Sequence, residues 1–220
     1  MNALFQSLSN YLKSESFAAH KGKTIGLAKK LNNGLGHLTY VDFLPPLLMR
    51  LYLAPVFWMA GVNKFSHFQA TADWFGNGLG LPAPLLMVFL AASTEFFGAL
   101  FLLVGFAVRW VSIPLIVTML VAGFMVHWQN GWLAIATASG PFATDRTVAA
   151  AERLEKVKEL LMMSGNYDWL TEFGPLVVLN NGIEFAMTYF IMLVALLIKG
   201  GGRYVSADYW IRRHFYRDAP

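Results

Sequence analysis

The chain has 220 residues, of which 56% are hydrophobic, 15% aromatic and only 14% charged, with a formal net charge of +4 and a mean hydropathy of +0.49. A soluble domain carries about 25% charged residues, so the composition excludes an ordinary water-surrounded globule and points to a chain immersed in lipid. The absence of cysteine excludes thiol catalysis, disulfides, Fe–S ligation and thioether-bound haem within this chain, so any redox role must borrow its reactive group.

Residues 1–43 form an N-terminal arm with two apolar series at helical spacing: Leu4, Phe5, Leu8, Tyr11 and Leu12, then Ile25, Leu27, Leu31, Leu35 and Leu38. Both series predict helices lying at the membrane interface. The arm holds five lysines and no apolar run of seven or more. That pattern does not fit a cleavable signal peptide, and the first span is expected to act as an uncleaved anchor.

Four apolar runs approach the ~20 residues that a ~30 Å bilayer core requires. They cover residues 44–64, 84–105, 110–128 and 182–199. Lipid offers the backbone no partners, so spans must be helices or closed barrels, and these runs lack the polar/apolar alternation of barrel strands. The expected fold is therefore all-α: a four-span membrane domain over 44–199, with an external insertion at 129–181 and a basic tail at 200–220. Lys13, Lys21, Lys23, Lys29 and Lys30 precede the first span, Arg109 sits in the tight second connection, and Lys199, Arg203, Arg212, Arg213 and Arg217 follow the last span. Positive charge collects on the cytoplasmic side, which places both termini there. The pI near 9.3 then reports flanks suited to anionic lipid headgroups and not a nucleic-acid surface.

The insertion carries four basic and six acidic residues and contains one further helical pattern, Val148 to Met163, with Thr147 as the expected N-cap, Gly165 as the stop, and Glu152 and Lys156 at i,i+4. Too polar to span, it is expected to lid the outer face of the bundle. The run GGGR at 200–203 follows a span and reads as a helix stop.

Glu95 is a lone carboxylate about ten residues from either end of the second run. Its short stem cannot reach an interface, so it must be neutral, paired or hydrated. In the first span Arg50, Phe57, Gly61 and Lys64 share one face at 100° per residue. Ala91 and Gly98 flank Glu95 on its own face, where small residues permit close helix approach. With alternating span directions Lys64, His127, Asn181 and Glu184 converge on the outer half, beside Trp128. The candidate site thus consists of Glu95, Arg50 and Lys64 as chemical groups, with His127, Glu184, Trp128 and Asn181 as binding groups and no metal cage. Structural readings stand beside each: Lys64 and Trp128 as interfacial anchors, Arg50 snorkelling to phosphates, Glu184 complementing a helix dipole, and Glu95 tying helices together through Arg50 or a backbone group.

Arg50, PVFWMAGVNKF at 55–65, STEFFGALFLLVGFAVR at 93–109, HWQNGW at 127–132 and GGGRYVSAD at 200–208 together resemble the DoxX family of small four-helix membrane proteins. The resemblance covers residues 44–135 and 182–208. It implies a bacterial inner-membrane protein working as the accessory subunit of a redox pathway, since the family takes its name from a subunit of a thiosulfate:quinone oxidoreductase. Other members are tied to membrane thiol or oxidative-stress complexes, and one branch to clusters that mature copper-binding modified peptides. Under a quinone reading Glu95 carries the proton, Arg50 or His127 bonds a quinone oxygen, and a partner subunit supplies electrons. Under a copper reading His127 with Met125 or Met187 offers soft ligands for Cu(I). Under a scaffold reading the cavity takes lipid, a peptide or a partner protein, a second copy of the chain included.

Overall fold

The computed structural model describes residues 36–215 together with Gly26, Leu27, Lys29, Lys30 and Asn33. The chain divides into two compact units, 1–43 and 44–220. In the first, a 3-10 turn spans His37–Val41. The helix expected over Leu4 to Leu12 lies outside the described residues, and so does most of the one expected over Ile25 to Leu38.

The second unit is helical. Its elements are α1 (Leu44–Ser66), α2 (Phe68–Asp73), α3 (Pro84–Val104), α4 (Val108–Val121), α5 (Asp145–Met163), α6 (Tyr167–Thr171), α7 (Glu184–Lys199) and α8 (Ala207–Phe215). Among the described residues no strand forms, only an isolated bridge between Ile135 and Leu179. Three helices are long and apolar enough to cross a membrane: α1, α3, and α4 with its continuation to Asn130. The fourth expected span differs. α7 has 16 residues, or roughly 24 Å at ~1.5 Å per residue, short of a ~30 Å hydrocarbon core.

α1 packs on α3 and α7, and α4 on α3 and α7, so each of the four helices has two neighbours. Leu53, Ala54 and Phe57 of α1, Ala99 and Leu102 of α3, Val108 and Leu115 of α4, and Leu193 and Leu196 of α7 form the core between them. Their outward faces expose Leu48, Leu51, Leu85, Phe89, Leu103, Val117 and Ile191. Apolar side chains exposed along several helices at once are what a lipid surround requires. Gly105 in the left-handed conformation (φ 74°) ends α3. The Gly105 N–H bonds Leu102 and the Phe106 N–H bonds Phe101, a Schellman stop that turns the chain within three residues into α4.

α5 starts three residues earlier than the sequence predicts. Thr144 is its N-cap, bonded reciprocally with Thr147 at N3, because two threonines three apart form a capping box and the outer one takes the cap. The expected Glu152–Lys156 pair gives way to Lys156–Glu159 and Lys158–Glu155 at i,i+3. α5 is fastened at its first turn through Arg146 to Asn180, and it packs on α6.

Candidate functional site

Lys64 and Glu95 meet directly. Lys64 Nζ donates to Glu95 Oε2 at 2.6 Å, with side chains 23% and 5% exposed. One turn before Lys64, a Cβ on Gly61 would lie 2.7 Å from the Phe96 backbone nitrogen. Glycine therefore brings α1 onto α3 where the pair forms. Lys64, in the last turn of α1, reaches back into the interface, and the carboxylate gains a counter-charge without leaving the helix pair. No other hydrogen bond reaches the Glu95 carboxylate among the described residues.

Beside Lys64 opens a cleft of about 360 Å³ lined by Asn63, Lys64, Ala70, Thr71, Trp74 and Phe75. Its far wall is a π-turn over Trp74–Gly78 that prolongs α2. Gly78 leaves room for the Trp74 ring, since a Cβ there would lie 2.7 Å from Trp74 Cδ1. A second π-turn, Ala122–His127, prolongs α4. Such turns recur at functional sites because they re-aim side chains from a helix end. The cleft thus offers an ammonium donor, a carboxylate behind it, and a flat apolar wall. Nothing in the sequence singled out Trp74, as aromatic rings are common in every segment around it.

Arg50 stands elsewhere. It is fully buried, donating to Leu102 O at 3.2 Å and Val205 O at 2.8 Å, so the tie between Arg50 and Glu95 considered from sequence is not made. Gly105 makes space for it, because a Cβ there would collide with the guanidinium. Asp208 supplies a nearby opposite charge and accepts from Ala107 N at 2.6 Å and Val108 N at 2.9 Å, capping α4 from 100 residues away. Ala107 has no side-chain cap of its own. The GGGRYVSAD segment, read as a helix stop, is also the strap that joins α1, α3 and α4 at this end.

His127, Asn181 and Glu184 belong to another knot. His127 Nδ1 and Asn130 Nδ2 both reach Asn181 O, at 2.9 and 3.1 Å. Glu184 Oε2 accepts from Ala134 N at 3.0 Å. The N–H groups of residues 180–184 donate to the carbonyls of Gly131, Trp132, Leu133 and Ala134, satisfying donors that a helix start leaves without partners. Gly182 is required there, since its Cβ would lie 2.5 Å from Leu133 O and 2.6 Å from Gly131 O. Asn180 is 2% exposed and bonds Asn130 O, Leu133 O and Arg146; it holds the knot more fully than the neighbouring Asn181 chosen from sequence. Trp128 is 61% exposed and packs on Phe124. No hydrogen bond joins this knot to the Lys64–Glu95 pair among the described residues.

His127 Nδ1 is engaged with Asn181 O, and the described residues hold no group of three His, Cys, Asp or Glu side chains.

Residues 46–128, from the first turn of α1 to just past the π-turn that prolongs α4, match the DoxX family. No curated protein and no solved structure matches the chain.

Proposed function

With a DoxX-family domain over residues 46–128 as its membrane unit, we propose that this protein is a multi-pass accessory subunit of a bacterial inner-membrane redox pathway. Its working site is the Lys64–Glu95 pair at the aromatic cleft. The observation that carries this reading is the 2.6 Å contact between an ammonium and a carboxylate only 5% exposed. A buried pair seldom improves stability over apolar residues of the same volume, which favours retention for chemistry.

The cleft suits a flat, lipid-soluble ligand with an oxygen acceptor, a quinone headgroup being the leading candidate. A bound quinone supplies two-electron, two-proton chemistry. Trp74 and Phe75 would give the flat wall, Lys64 would donate to an oxygen, and when its proton is passed on the Glu95 carboxylate would relay a replacement proton from water in the open cleft back to Lys64. Electrons come from a partner subunit, since the chain has no cysteine. In the same proposal α7 crosses as the fourth span, helped by its flanks at 181–183 and 200–202, and both termini face the cytoplasm.

Organic extraction of protein purified in mild detergent tests this reading. Near-stoichiometric quinone that falls away in Lys64→Leu supports it. A second reading, a scaffold without redox chemistry, is favoured by one observation: Arg50, His127, Glu184 and Asn180 each hydrogen-bond the backbone. Recovery of neither quinone nor copper selects it.

A further inference from the structure

α8 is built to sit in a lipid headgroup layer. The three-residue turn Gly105–Ala107 joins two helices that are each long enough to cross a membrane, so that turn lies at a membrane face. The start of α8 is fastened to it: Asp208 N donates to Gly105 O at 3.0 Å, while the Asp208 carboxylate holds the N–H groups of Ala107 and Val108. Beyond this anchor Trp210 Nε1 donates to Tyr204 O at 2.8 Å, and the apolar side chains of α8 remain exposed.

At 100° per residue, Ala207, Trp210, Ile211, His214 and Phe215 occupy one side of α8. Trp210, Ile211 and Phe215 are 53%, 39% and 73% exposed. Arg212 and Arg213 flank that side; Arg213 lies 5.7 Å from the Trp210 ring and bonds Tyr209 Oη. Arg109 and Lys199 lie at the same end, where Arg109 bonds Ile198 O. Asp208 is the acidic side chain of α8, and its charge is already committed to the start of α4. An apolar side edged by cations that form no ion pair among the described residues repels a second copy of itself and complements an anionic lipid surface.

We propose that α8 is an anionic-lipid-binding helix, in which Trp210, Ile211 and Phe215 enter the headgroup layer and Arg212 and Arg213 engage phosphates. The site is independent of the Lys64 cleft, which lies at the opposite end of α1.

Because the chain has no cysteine, a single His214→Cys places one environment-sensitive dye on the apolar side of α8, and Ser139→Cys provides a control in the insertion. The labelled full-length protein is reconstituted into vesicles of phosphatidylcholine alone or with phosphatidylglycerol. The dye at 214 is expected to shift to the blue in the anionic vesicles, and added salt should reverse the shift, whereas the dye at 139 reads the same in both. In Arg212→Ser/Arg213→Ser the ratio of inserted to water-exposed dye should fall roughly 25-fold, about fivefold per arginine. The salt titration on the protein with both arginines present gives the same answer without relying on that variant. Equal emission in the two vesicle types, or a shift that the double substitution leaves intact, overturns the proposal and leaves the face to a protein partner.

Discussion

At the residue scale, the lone carboxylate is half of a pair. Lys64→Ala leaves Glu95 almost buried without its counter-charge, and truncation of one partner of a buried pair costs about 3–5 kcal/mol. A marked fall in the unfolding midpoint in detergent is therefore expected for Lys64→Ala, with most of it regained in Lys64→Met/Glu95→Leu; a single variant as stable as the parent would remove the case for a tight pair. Glu95→Gln separates chemistry from packing, because glutamine keeps the shape and cannot ionise. It is expected to fold and to lose activity in the host pathway. Glu95 was legible from sequence by depth alone, and so was the face shared by Arg50 and Lys64. Which of those two cations meets it was not, because both stand on that face and only the helix register decides. Gly61 and the Phe96 backbone set that register.

Elements show the same division. Gly61→Ala introduces a methyl group 2.7 Å from a backbone atom of α3, which has no rotamer to yield. The helices must separate, so Gly61→Ala should lower stability and weaken the Lys64–Glu95 contact, seen as more rapid hydrogen exchange along α3. Asp208→Ala removes the carboxylate that caps α4, and loss of an N-cap costs about 1 kcal/mol; a measurable drop in thermal stability with the fold retained is expected. The first prediction rests on local periodicity and the second does not. A cap supplied from residue 208 to residue 107 has no signature at either position, whereas the Thr144–Thr147 box was written in the sequence three residues upstream of where it was sought.

For the whole molecule the open quantity is the number of crossings. If α7 spans, reporters fused after Met163 and after Phe215 should read opposite sides, external and cytoplasmic; the same side for both would leave three crossings and overturn the proposed topology. Composition and the long apolar runs determined by themselves that this is a helical membrane protein, since lipid imposes length and hydrophobicity on every span. They also marked Glu95 as costly, because depth within a run is a property of the sequence. The tertiary structure decided which partner it has, that Arg50, His127, Asn181 and Glu184 hold backbone ends together, and that a cleft with Trp74 opens beside Lys64. Those outcomes depend on close approaches at Gly61, Gly105 and Gly182 and on bonds across 31 to 155 residues. A one-dimensional pattern carries faces and depths, but not the distances between chains that fold back on one another.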